Sequence, residues 1–123
     1  MSQYEGITVP DDVIKKWQDI VDLLADIMDV PSALIMKVEL SDIKVFVSSK
    51  TGDNPYAPGD SEHLEGSGLY CETVINNQRK LEVVNALREK DWQDNPDIEL
   101  NMISYLGFPV NWPDKKVFGT ICV

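Results

Sequence analysis

The spacing of apolar residues changes period once, at Pro31, and that change limits the possible folds more than any other feature of the chain. Before it, Val13, Trp17, Ile20, Val21, Leu24, Ile27 and Met28 recur every three or four residues. That spacing puts them on one face of a helix over Asp11–Asp29. Lys15, Asp19, Asp22, Asp26 and Asp29 occupy the opposite face, and Asp11 and Asp12 sit in the first turn, where the helix dipole favours negative charge. After Pro31 the period is two. Leu34, Met36, Val38 and Leu40 alternate with Ile35, Lys37 and Glu39, and Ile43, Val45 and Val47 alternate with Lys44, Phe46 and Ser48. Leu40-Ser41-Asp42 is short enough to join the two runs as an antiparallel hairpin. One helix followed by a strand pair is the start of an α+β layer structure.

The rest of the chain extends this pattern. Lys50 to Gly66 is polar and holds Gly52, Pro55, Pro58, Gly59 and Gly66, so it reads as a long loop. Ser67 is placed to cap a helix from about Gly68 to Asn77, with Leu69, Tyr70, Val74 and Ile75 inward, and Gln78-Arg79-Lys80 closes it. Leu81–Val84 is a short strand, and Asn85–Pro96 is loop or broken helix. A further short helix is expected from Asp97, burying Ile98, Met102 and Tyr105 and capped by Gly107. A final strand pair, Phe108–Trp112 and Val117–Val123, is joined through Pro113-Asp114-Lys115-Lys116. Pro109 belongs where its missing N–H is not needed. Val117–Val123 is nearly all apolar and should be buried on both faces. Because that strand ends with the chain, the expectation is a single domain over residues 10–123, with a lead-in segment 1–9, cut from a longer protein.

Composition excludes several classes. The formal net charge is −10 and no basic cluster exceeds Gln78-Arg79-Lys80, so no nucleic acid is expected as partner. No apolar run reaches the roughly 20 residues of a bilayer span, and the first residues lack the basic start and apolar stretch of a secretion signal. Membrane insertion of this segment is therefore not expected. Cys71 and Cys122 give neither metal-ligand spacing nor a disulfide framework, which fits buried thiols in a reducing cytoplasm.

Five segments together resemble a GAF domain: Gly68-Leu69-Tyr70-Cys71-Glu72-Thr73-Val74-Ile75, Leu81-Glu82-Val83-Val84-Asn85-Ala86, Asn95-Pro96, Ser104-Tyr105-Leu106-Gly107-Phe108-Pro109-Val110 and Phe118-Gly119-Thr120-Ile121-Cys122-Val123. The resemblance runs from about Trp17 to the end and is to bacterial sensory GAF domains. It implies a PAS-like antiparallel sheet of about six strands, with the first helix behind and short helices and loops in front. It also implies a small molecule held between sheet and front loops, biasing an attached histidine kinase, diguanylate cyclase or transcription regulator. Homodimerisation through the Asp11–Asp29 helix is a further expectation. The competing possibilities are a GAF module that only dimerises, and a thiol-dependent methionine sulfoxide reductase.

On that resemblance, Phe46 (if its ring turns to the front), Tyr70, Asn85, Trp92, Met102 and Ser104 are the candidate ligand-binding residues, with the Lys50–Gly66 loop as part of a lid. Tyr70 and Trp92 also suit a core, and Asn85 suits its own turn. Catalytic and metal sites are not expected. His63, the only histidine, lies among Asp60, Glu62 and Glu65 and reads as an exposed loop residue, so haem is disfavoured. Bilin-binding relatives carry a histidine directly after the attachment cysteine, whereas Glu72 follows Cys71, so bilin is disfavoured too. The charged motif of cyclic-nucleotide-binding relatives is absent, as are the front-loop cysteines of the reductases.

Overall fold

The computed structural model describes residues 9–52, 54–100 and 102–123. Of the lead-in segment expected over residues 1–9, only Val9 lies within the described residues, and its side chain is buried. Helix α1 spans Asp11–Met28 and ends with Asp29 in the left-handed region, its N–H returned to the carbonyls of Ala25 and Asp26. At its start, the Pro10 carbonyl accepts from the N–H groups of Val13 and Ile14 at 3.0 and 3.1 Å, while Asp11 and Asp12 supply first-turn charge.

Six antiparallel strands form one sheet: β1 Leu34–Glu39, β2 Asp42–Ser48, β3 Ser61–His63, β4 Leu81–Val83, β5 Tyr105–Asn111 and β6 Val117–Cys122. Their spatial order is β3-β2-β1-β6-β5-β4. The nearly all-apolar β6 is therefore central, with Phe118, Gly119, Thr120 and Cys122 buried. α1 covers the back face, where Val21, Ala25, Ala33, Ile35, Val47 and Phe118 form one core. Helix α2, Tyr70–Asn77, covers the front. There Tyr70, Cys71 and Val74 pack with Leu34, Met36, Ile43, Val45, Val83, Ala86, Tyr105 and Cys122 as a second core.

Two register shifts decide which side chains reach which face. Ile35 pairs with Val47 but Met36 with Val45, so Phe46 is the extra residue of a bulge. Likewise Val110 pairs with Gly119 but Asn111 with Val117, leaving Phe118 as the extra residue. The second bulge brings Phe118 to the back face, where alternation already places Phe46; the two rings lie 5.6 Å apart and edge to face, with Trp17 5.8 Å from Phe46 and 5.4 Å from Phe118. Simple alternation puts Val47 with Ile43 and Val45; the bulge sends it to the back instead.

Other expectations are corrected locally. The Lys50–Gly66 loop contains strand β3, which pairs Asp42 with His63 and Lys44 with Ser61 at the sheet edge. α2 begins at Tyr70 rather than Gly68, and the Ser67 hydroxyl accepts only from the Leu69 N–H at 3.2 Å. The segment from Asp97 forms a single 3-10 turn, Pro96–Leu100. Tyr105 and Gly107 belong to β5, not to that helix or its cap. Gly107 serves the strand differently: a Cβ there would overlap the Tyr105 ring and hydroxyl, which lie along the same face two residues away. Pro109 sits past the end of β4, which pairs only residues Tyr105 to Gly107 of β5, so no ladder bond lacks its donor. No helix among the described residues is long and apolar enough to cross a membrane.

Candidate functional site

Between the front of the sheet and the segments above it lies a cavity of about 590 Å³. Its floor is Leu34, Met36, Ile43 and Val45 of the hairpin, and Tyr70 and Cys71 of α2 form one wall together with Tyr105 and Cys122. Pro55, Tyr56, Asp60, Ser61 and Glu62 come from the loop and edge strand, and Pro96, Asp97, Met102 and Ser104 from the opposite side. An apolar floor with a few convergent polar groups is the usual form of a small-ligand pocket.

A hydrogen-bond hub positions the loop on one side of the cavity. The Asn54 amide donates to Ser48 Oγ at 2.7 Å and to the Ser49 carbonyl at 2.9 Å. Its carbonyl oxygen accepts from Ser32 Oγ and from the Tyr56 N–H, both at 2.9 Å. Asp22 of α1 joins the same loop by accepting from the Lys50 N–H at 2.8 Å. Tyr56 is thus held over the cavity, and its hydroxyl donates to Asp97 Oδ1 at 2.8 Å. This bond ties two front segments separated by 41 residues in sequence. Asn54→Ala removes the hub and leaves several of its partners unpaired. It is expected to cost about 1–2 kcal/mol, with hydrogen exchange accelerated at residues 49–57 and unchanged in α1.

Electrostatics distinguish Asp97. Burial holds its carboxyl above the ordinary value, opposed by hydrogen bonds from the Tyr56 hydroxyl and the Tyr70 backbone, with Glu62 adding to the rise. Burial, then Asp97 and Glu89, push the Tyr70 phenol up to about 12. The Tyr70 hydroxyl donates to the Met102 carbonyl at 2.9 Å, and its ring stacks on Tyr105 with centroids 4.7 Å apart. Cys71 Sγ lies 3.3 Å from both Tyr105 OH and Thr120 Oγ1. Hydrogen bonding to Cys71, then burial, drive the Cys122 thiol well above its ordinary value. Both cysteines are free and buried.

Of the six residues singled out from sequence, Tyr70, Met102 and Ser104 line the cavity. Trp92 stands behind it, its ring 5.3 Å from Tyr70. Asn85 caps the turn Ala86–Arg88, its side chain accepting from the Leu87 N–H at 3.0 Å. Phe46 faces the back, as its alternation with the front-facing Ile43 and Val45 requires. His63 is exposed in β3, 3.8 Å from Asp42. Sequence reasoning missed Tyr56, Asp97 and Cys122. The available signal for Tyr56 was a lone aromatic between Pro55 and Pro58 in an otherwise polar stretch.

The GAF domain family model matches residues 12–123, and the chain belongs to that family. The sequence matches none of the curated proteins. Among solved structures it is similar to the GAF domain of an Acinetobacter phosphoenolpyruvate-protein phosphotransferase. That match has a TM-score of 0.66 and 22% identity, covering 98% of this chain and 69% of the other. A methyl-accepting chemotaxis protein segment matches with a TM-score of 0.68 and 14% identity, over 90% of this chain and 71% of the other. A type II free methionine-R-sulfoxide reductase from Thermoplasma acidophilum matches with a TM-score of 0.67 and 10% identity, over 91% of this chain and 73% of the other. At these identities the likeness is one of fold.

Proposed function

We propose that this chain is a sensory domain that binds a small molecule in the front cavity and thereby biases an output module attached to it. The observation that carries this reading is the cavity of about 590 Å³, closed on one side by the Tyr56–Asp97 hydrogen bond. A ligand there touches both front segments at once, so it favours one arrangement of them over others by its differential affinity. The six candidate residues divide accordingly: Tyr70, Met102 and Ser104 for contact with the ligand, Trp92 and Asn85 for support behind it, and Phe46 for the back core. Membership of a family that is commonly regulatory, and likeness to a chemotaxis protein segment, support a place in a cytoplasmic signalling protein.

Native mass spectrometry of the purified chain, paired with the same sample denatured, tests the reading. The expected result is excess mass lost on denaturation, either as purified or after adding back a filtered small-molecule extract of the host cell. Masses equal to the sequence under all these conditions would contradict it.

A second reading rests on a separate observation. Ile20, Leu23, Ile27 and Met28 of α1 are 44%, 58%, 70% and 42% exposed, an apolar stripe that the back core does not consume. It suits a helix-to-helix dimer with a second copy, and dimer peaks in the same spectrum, lost in Leu23→Glu, would support it. We read the chain as non-enzymatic. Reduction of free methionine sulfoxide by the wild type, abolished when Cys71 and Cys122 are both changed to serine, would overturn that.

A further inference from the structure

The charged side chains lining the cavity are all of one sign. Asp60, Glu62 and Asp97 line it, and among the described residues no lysine, arginine or histidine does. Asp97 is the inward member. It accepts from the Tyr56 hydroxyl at 2.8 Å, but the ion pairs found among the described residues, Lys44 with Glu39 and His63 with Asp42, do not include it. A half-buried carboxylate facing a largely apolar cavity without a cationic partner is electrostatically incomplete.

The walls beside it are aromatic. The rings of Tyr56, Tyr70 and Tyr105 border the same space, and their faces attract positive charge. An anion would meet three carboxylates and no donor side chain of opposite charge. A metal ion is disfavoured by geometry, since among the described residues no group of three His, Cys, Asp or Glu side chains converges as a ligand set.

We propose that the cavity selects small organic cations: an ammonium or amidinium head seated at Asp97 among the tyrosine rings, with an apolar body over Met36 and Val45. This rests on the ligand-binding reading above and specifies its chemical class. It also identifies the link to the front segments. A cationic head at Asp97 competes with, or adds to, the Tyr56 hydroxyl on the same carboxylate, so occupancy changes the bond that joins the loop to the Pro96–Leu100 turn.

Three probes of one shape and different charge test it: 2-phenylethylammonium, 2-phenylethanol and phenylacetate, each titrated into the chain and followed by amide NMR. The expected result is that the ammonium binds at least tenfold more tightly than the alcohol, with phenylacetate weakest. Shifts should centre on residues 69–72 and 102–105. Asp97→Asn keeps an acceptor for Tyr56 and removes a charge that burial disfavours, so it should fold at least as stably as the wild type. In that variant the ammonium should fall to the affinity of the alcohol.

Equal or tighter binding of phenylacetate, or ammonium binding unchanged in Asp97→Asn, overturns the charge selection while leaving a ligand cavity in place. Ammonium shifts spread over the exposed acids of α1 instead of the cavity overturn it as well. No shift with any probe also overturns it, and the native mass measurement then decides separately whether the cavity takes a ligand at all.

Discussion

Changing Gly119 to alanine is expected to lower stability by about 3 kcal/mol, seen as a fall in the urea midpoint with an unchanged slope. Gly119 lies in the central strand, paired with Lys37 of β1 and Val110 of β5. A Cβ at this position would run into the Met36 carbonyl oxygen and lie 2.7 Å from its carbon and 3.0 Å from the Lys37 Cα. All three atoms are backbone, so no rotamer change relieves the overlap; β1 and β6 must separate. The cost therefore falls on the middle of the sheet, under the cavity floor at Met36. A loss below about 0.5 kcal/mol would place the residue among tolerant surface positions and contradict the close approach of these strands.

Phe118→Ala is expected to be costlier still, at about 4 kcal/mol. Phe118 is 3% exposed, and three aromatic rings surround it edge to face: Trp17 at 5.4 Å, Phe46 at 5.6 Å and Trp112 at 5.2 Å. Truncation leaves a void that none of these rings fills without leaving its own place. Because Trp17 belongs to α1, the loss also loosens the helix on the back face, and the tryptophan emission should shift to the red before global unfolding. Against a typical total of roughly 5–15 kcal/mol, such a loss is large enough to leave the chain partly unfolded at 37 °C. A change below about 1 kcal/mol would show that the aromatic cluster does not hold α1 to the sheet.

These two positions also show what the sequence reveals and what it hides. The long helix and the β1–β2 hairpin are legible because their apolar spacing repeats over several turns or pleats. The burial of β6 on both faces is legible from its composition. The bulges at Phe46 and Phe118 are not, because a bulge inserts one residue into an otherwise regular alternation and depends on the partner strand. Strand β3 is hidden for another reason: Ser61, Glu62 and His63 are all exposed, so no alternation marks them and only backbone pairing defines the strand. Gly107 misleads because glycine is favoured both at a helix cap and where a neighbouring ring occupies the space of a Cβ.

The candidate site divides in the same way. Tyr70, Met102 and Ser104 lie in or beside the segments that carry the family resemblance, and all three line the cavity. Tyr56 and Asp97 are brought together over 41 residues by tertiary structure, which no local pattern reports. Cys71 and Cys122 read as isolated thiols in sequence yet both line the cavity, because α2 packs across β5 and β6.

The central claim is that the front cavity takes a small molecule. It is tested most directly by amide NMR of the chain against a fragment panel balanced between amines, acids and neutral aromatics, run in parallel on Ser104→Trp. Ser104 is exposed at the cavity lining, so a large ring there should obstruct the space with little strain on the core. Compounds of at least one class are expected to shift the amides around Tyr70 and Met102, leave α1 unmoved and lose their effect in Ser104→Trp. Shifts confined to α1, or no response to any class in the wild type, would contradict it.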